Sequence, residues 1–225
     1  MKRAAVSAAT PIAEGPLRLA VPRGALFDGT LALLDRIGVP TADLRGDSRS
    51  LVFEAGGLVL VTMRPSDVPT YVEAGAAQLG ITGKDVLLEQ RDRAVYELAD
   101  LGYGACRMVL AGRRGDARLG ESERRLGAMR IATKYPRTAE RYFEDTGRQA
   151  EVIEVKGSVE LAPIIGLADG IVDVVESGRT LADNDLEVRE VLARCTARVV
   201  ANRVAHKLRG REVDELVARM KGATG

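Results

Sequence analysis

Apolar residues in this chain come in short runs punctuated by glycine, and the runs sort into strand-like and helix-like stretches. "LRLAVP" (Leu17–Pro22) reads as a first strand, followed by a glycine-containing turn. In "ALFDGTLALLDRIG" the apolar residues keep helical spacing until Gly38 stops them. "SLVFEA" and "LVLVTMR" are two short strands that Gly56-Gly57 would join as a hairpin. "PSDVPTYVEAGAA" predicts a helix opened by Ser66 or Asp67, with Pro69 tolerable only in its first turn. "LGITG" is a short strand ending on Gly83, where the helix "KDVLLEQ" begins. "VYELADLG" and "CRMVLAG" read as strands before a charged loop, Arg113 to Arg125.

The second half continues the alternation. "MRIATKYP" and "AEVIEV" are strands, "RTAERYFEDTG" and "SVELAPIIGLA" helices, "GIVDVV" another strand, and a short helix follows from Ser177. The tail "LEVREVLARCTARVVANR" reads as strands, and "REVDELVARMKG" as a closing helix with Val213, Leu216, Val217 and Met220 on one face. Strand–helix alternation before and after about residue 104 predicts an α/β protein of two lobes with mainly parallel sheets. The expected division sets residues 17–103 with about 184–225 in one lobe and 104–183 in the other, after a flexible extension over 1–16. A cleft between such lobes is a favoured place for ligands.

Composition narrows the function. The 33 basic and 32 acidic residues nearly cancel, so no global field points to nucleic acid or an anionic membrane, and any anion site must be local. Three Phe, five Tyr and no Trp leave little for a base-stacking surface. No segment approaches a membrane span, and "MKRAAVSAATPIAEGP" is too weakly apolar for a signal peptide, so a cytoplasmic protein is expected. Cys106 and Cys195 are expected as buried thiols; two cysteines and one histidine cannot build a structural zinc site. His206 is expected to be structural or exposed.

Chemistry concentrates where strands end on glycine. In "IVDVVESGRT" an apolar run carrying Asp173 stops at Ser177-Gly178-Arg179-Thr180. First-turn amides attract phosphate, glycine lets an oxyanion approach the backbone, and Ser177 and Thr180 add hydroxyl donors. Arg179 adds charge or points to water, while Asp173 and Glu176 face a ribose diol or a magnesium ion. The alternative is a plain strand–turn–helix junction with Ser177 as N-cap. "VKGSVELAP", "GITGKD" and "VPRGA" repeat the pattern, with Ser158 as a further N-cap. Parallel strands bring such ends to one edge, which makes a cleft binding several anionic groups credible. Arg23, Arg49 and Arg64 flank strands and offer phosphate a planar fork of donors, and Lys134 beside Tyr135-Pro136 is a further candidate.

Taken in order, "RPSDVPTYVEAGAAQLGITGKDVLLE", "DLGYGACRMVLA", "RIATKYPRTAERYF", "GSVELAPIIGLADGIVDVVESGRTL" and "ARVVANR" resemble the ATP phosphoribosyltransferase family. The resemblance runs from about Leu17 to Arg203. It implies the first step of histidine biosynthesis: N1 of ATP joins C1 of phosphoribosyl pyrophosphate, and pyrophosphate leaves with magnesium (Mg2+) present. It also implies a fold like the type II periplasmic binding proteins, with the active site in the inter-lobe cleft. By motif, Ser177, Gly178, Arg179 and Thr180 would hold the 5-phosphate, with Asp173 or Glu176 near the ribose hydroxyls. Arg23 and Arg49 would serve the leaving pyrophosphate as catalytic residues, and Arg64, Asp67 and Gly83 would lie on the ATP side. The resemblance names no metal ligands. The family commonly has Lys-Gly-Arg and Ser-Arg-Lys where this chain has Arg23-Gly24-Ala25 and Ser48-Arg49-Ser50; both changes remove positive charge from the leaving-group side.

The residues after Arg203 suffice for one helix, so the chain resembles the family's short catalytic form. That form implies a histidyl-tRNA synthetase-like regulatory subunit in a hetero-octamer built around a catalytic homodimer. Two other readings stay in view: a non-enzymatic binding module of the same fold, and a phosphoribosyltransferase for another base. "RPSDVPTYV" argues against the latter.

Overall fold

A computed structural model describes residues 13–46, 50–117, 119 and 127–224. Most of the expected N-terminal extension and part of the charged loop therefore lie outside the described residues. The chain divides into two compact units, residues 1–104 with 196–225 and residues 105–195.

The first unit is built on a six-stranded sheet of β1 (Leu17–Pro22), β2 (Val52–Ala55), β3 (Leu58–Met63), β4 (Leu79–Gly83), β5 (Val95–Asp100) and β11 (Ala197–Asn202), in the order β2-β3-β1-β4-β11-β5. The anticipated hairpin is present. Ala55 pairs with Leu58, and Gly56 and Gly57 have φ of 58° and 79°, the double left-handed turn whose twist matches two antiparallel strands. Helices α1 (Phe27–Arg36), α2 (Ala42–Arg45), α3 (Val68–Glu73) and α4 (Lys84–Glu89) follow strands or turns in sequence.

Period two assigns the faces of this sheet. Leu17, Leu19 and Val21 of β1 and Ala197, Val199 and Ala201 of β11 join a large core with Leu31 and Leu34 of α1. Ala20 and Val200 point the other way, onto Val68 and Val72 of α3. That second face is thin: a Cβ on Gly80 would come within 2.9 Å of Val72, so glycine lets α3 lie against the strand.

The second unit carries β6 (Cys106–Arg113), β7 (Met129–Thr133), β8 (Ala150–Glu154), β9 (Gly170–Val175) and β10 (Leu186–Cys195), in the order β10-β6-β9-β7-β8. Helices α5 (Pro136–Asp145), α6 (Leu161–Ile164) and α7 (Arg179–Asp183) complete it. Helix α8 (Arg203–Gly222) belongs to the first unit. Asn202 caps α8 by accepting from the amides of Val204 and Ala205. Its expected apolar face holds: Val213, Leu216, Val217 and Met220 are all buried.

Several expectations change. Both sheets are mixed rather than mainly parallel. β1 is parallel to β3 and β4, and β7 to β8 and β9, but β2, β5, β6, β10 and β11 run antiparallel to their neighbours. The chain also leaves the second unit after Cys195, not near residue 184, because β10 pairs along its length with β6. β10 and β11 are separated by Thr196 alone and look alike in sequence; their distant partners assign them to different sheets. The helix expected over residues 158–168 shrinks to Leu161–Ile164, and that over 65–77 becomes a 3-10 turn, Pro65–Asp67, followed by α3.

Candidate active site

The acid within the apolar run "IVDVVESGRT" is placed by β9. Asp173 shares a face with Ile171 and Val175, which pack in the core beneath α6 and α7, while Val172 turns to the opposite core. The acid therefore sits on a buried face, its side chain only 13% exposed. Asp173 Oδ1 accepts from the Val174 amide at 2.8 Å, and Oδ2 lies 3.8 Å from Lys134 Nζ at the end of β7. Burial pushes the Asp173 carboxyl above the usual carboxylate range and nearby Glu160 adds to the shift, whereas the Val174 amide and Lys134 oppose it.

Beyond Val175 the chain turns through Gly178, whose φ of 82° is left-handed, and enters α7. A recess of about 250 Å³ opens here, lined by Asp173, Glu160, Glu176, Ser177, Gly178 and Thr180 among others. Gly178, not Ser177, is the N-cap residue of α7. Ser177 Oγ reaches the Arg179 amide only at 3.4 Å, and the capping reading of Ser177 is thus the weaker one. Ser158, the other N-cap candidate, stands at φ 30°, three residues ahead of α6. Amides of a helix's first turn have no intrahelical acceptor, so this turn presents donors and hydroxyls to whatever occupies the recess. Arg179 is different. Its side chain is 87% exposed and lies 3.8 Å from Asp183, and it does not line the recess.

Glu160, which lines the recess with Asp173, is a residue that sequence reading missed. Its signal was its place in the "GSVELAP" block; its position beside Asp173 in the recess depends on the packing of α6 against β9.

In the first unit, β1, β3 and β4 are parallel neighbours, so their C-terminal ends meet at one edge. Arg23 follows β1. Its amide donates to Met63 O at 2.8 Å, Nη2 donates to Thr62 Oγ1 at 3.2 Å, and its guanidinium lies 5.3 Å from the Phe27 ring centre. Its Nε is buried with no hydrogen-bond partner. Arg64 and Asp67 are exposed on the turn after β3. That turn is pinned by Thr82 Oγ1 donating to Pro65 O and Gln90 Nε2 donating to Ser66 O, each at 2.8 Å. Gly83 ends β4, and the Asp85 carboxylate occupies the space its Cβ would need. Arg23, Arg64, Asp67 and Gly83 are thus gathered at one sheet edge. Arg49 lies outside the described residues.

Among the described residues, no group of three or more His, Cys, Asp or Glu side chains stands ready to hold a metal ion. No helix among them is long and apolar enough to cross a membrane. His206 is partly exposed, bonded to Asp214 at 3.1 Å and edge-on to Tyr96, as a structural histidine would be.

The family model for HisG, ATP phosphoribosyltransferase, matches residues 64–222. An ATP phosphoribosyltransferase of Rubrobacter xylanophilus is 54% identical over 205 residues, covering 90% of this chain and 94% of the relative. One from Symbiobacterium thermophilum is 47% identical, covering 92% and 94%. Among solved structures, the ATP phosphoribosyl transferase (HisG:HisZ) complex from Thermotoga maritima is 36% identical with a TM-score of 0.76, covering 92% of this chain and 98% of that one. The periplasmic aliphatic sulphonate binding protein SsuA from Escherichia coli, at 12% identity and a TM-score of 0.59 over 94% and 73%, shows the fold alone. An α/β fold in two units of the periplasmic-binding-protein kind and this sequence likeness agree: the chain belongs to the ATP phosphoribosyltransferase family.

Proposed function

We propose that this chain joins N1 of ATP to C1 of phosphoribosyl pyrophosphate, releasing pyrophosphate, as the first step of histidine biosynthesis, and that the recess at the end of β9 binds the phosphoribosyl group. The observation that carries this reading is the Ser177–Thr180 turn standing over a buried carboxylate, Asp173, in a chain of this family. Ser177, Gly178 and Thr180 grip the 5-phosphate with hydroxyls and first-turn amides. Asp173, Glu160 and Glu176 face the ribose hydroxyls as acceptors.

Glycosyl transfer from this donor passes through a cation-like ribose, so catalysis consists of aligning the reactants and neutralising the charge that develops on pyrophosphate. Arg23, held by Thr62 and Phe27, and Arg49 supply that positive charge. Arg64, Asp67 and Gly83 serve the ATP side. No covalent nucleophile is required, because adenine N1 is itself nucleophilic.

Among the described residues no three acidic side chains stand together to hold a metal ion. Magnesium would therefore arrive with the diphosphate and take most of its oxygens from the substrate, with Asp173 and Glu176 as the residues that would add a hard oxygen ligand. Held in this way, magnesium would supply charge neutralisation on the leaving group. The enzyme works in the cytoplasm with a histidyl-tRNA synthetase-like regulatory subunit, in a hetero-octamer around a catalytic homodimer. The relative whose structure is a HisG:HisZ complex supports a partner subunit.

The test is to mix the chain with ATP, phosphoribosyl pyrophosphate and magnesium, with and without the candidate subunit, and follow phosphoribosyl-ATP. Product formation in either mixture is expected. Binding of both substrates with no product in either would leave a binding module, and product only with another base would reassign the acceptor.

A further inference from the structure

We propose that Cys106 and Cys195 form a reversible disulfide, a redox modification site joining the two strands by which the chain enters and leaves the second unit. Cys106 is the first residue of β6 and Cys195 the last of β10, and the two are register partners in an antiparallel pair. The adjoining pairs, Arg194 with Arg107 and Ala193 with Met108, continue that register without a shift; the irregularities in β10 lie further along. Directly opposed residues of antiparallel strands project from the same face with Cα atoms about 4.5–5.5 Å apart. That spacing falls within the roughly 4.4–6.8 Å that a disulfide spans. In the described state no disulfide joins them.

Their exposure differs, and the difference sets the order of events. Cys106 is half-buried and within reach of a small oxidant, whereas Cys195 is 1% exposed. With a disulfide oxidant such as glutathione disulfide, the Cys106 thiolate attacks one oxidant sulfur. The oxidant's S–S bond breaks, one glutathione thiolate leaves, and Cys106 carries the other glutathione. Cys195 then gives its proton to solvent and its sulfur attacks that of Cys106, releasing the second glutathione. Two protein thiols are oxidised and one oxidant disulfide is reduced to two thiols.

The chain has two cysteines in all, so no third thiol competes for the mixed disulfide. The location gives the bond its consequence. Residue 105 follows the last residue of the first unit's opening segment, and residue 195 precedes its return at Thr196. A covalent link there ties both chain crossings together at the margin of the second unit.

The experiment uses the whole chain, equilibrated against graded ratios of oxidised to reduced glutathione, then acid-quenched and alkylated, with intact mass and peptide mapping as readouts. The expected result is a monomer that loses two hydrogens, carries no alkylatable thiol, yields a linked 106–195 peptide and returns to two thiols with dithiothreitol. Cys195→Ser should instead hold glutathione on Cys106, and Cys106→Ser should stay unmodified. Glutathione retained on Cys106 of the unaltered chain, a link between chains, or two thiols persisting at every ratio would each overturn the proposal. Because these outcomes are read on the unaltered chain, they decide the matter even where a variant folds poorly.

Discussion

Replacing Asp173 by Asn isolates the carboxylate on which the proposed donor site turns, because it removes one charge and little volume. Asn can still accept the Val174 amide through Oδ1, so the 2.8 Å bond that orients the side chain survives. The Lys134 contact, at 3.8 Å with Lys134 40% exposed, is loose, and its loss should weaken folding by less than about 1 kcal/mol. Burial works in the opposite direction. It raises the folded carboxyl's pKa above the ordinary value of 3.8, so the folded state holds that proton more tightly than the unfolded chain does. The stability this gives is fully present below the unfolded pKa and is lost as pH rises through the folded one. At neutral pH the ionised Asp173 is therefore an uncomfortable group.

Asp173→Asn should accordingly fold as stably as the unaltered chain at pH 7, or more so, with any advantage fading in acid. Donor binding should suffer. Losing a charged acceptor for the ribose hydroxyls costs about 1.5–3 kcal/mol, which is about ten- to a hundredfold in affinity. Calorimetric titration with ribose 5-phosphate measures the second effect, and urea unfolding at several pH values the first. Equal affinity in the two proteins would remove Asp173 from the donor site. A large loss of stability at neutral pH would make it a structural residue instead.

Gly178→Ala forces a Cβ onto a left-handed residue; its nearest neighbour would be Val175 at 3.8 Å, so backbone strain and not a clash sets a penalty of about 1 kcal/mol, read by urea unfolding, with weaker binding of ribose 5-phosphate. Asn202→Ala removes a cap accepting from two amides of α8 and a donor to Val72 O and Glu73 O; about 3 kcal/mol of stability should go while ribose 5-phosphate affinity stays unchanged. The half-buried Tyr103 hydroxyl bonds Thr30 at 2.6 Å, and burial pushes its pKa up to about 12 from 10.0. The stability tied to its proton is complete below pH 10.0 and is lost as pH rises toward 12, so Tyr103→Phe should flatten that alkaline loss in a melting-temperature series.

Local sequence determined a good deal of this protein. Period two placed Leu17, Leu19 and Val21 on one face, Gly56-Gly57 specified a hairpin, and Val213, Leu216, Val217 and Met220 marked the packed stripe of α8. These are properties of neighbouring residues and need no distant partner. The turn after β9 was legible for the same reason: a strand, a left-handed glycine and flanking hydroxyls are all contained in one short run. Tertiary structure alone decided what depends on pairing across the chain. It assigned β10 to the second sheet and β11 to the first although only Thr196 parts them, and made both sheets mixed. It also brought Glu160, just ahead of α6, to the recess that Asp173 lines, and turned Arg179 outward to Asp183. Strand partnership is a contest among distant segments with similar apolar patterns, and a side chain's direction follows from the packing that wins; neither is written in the order of residues nearby.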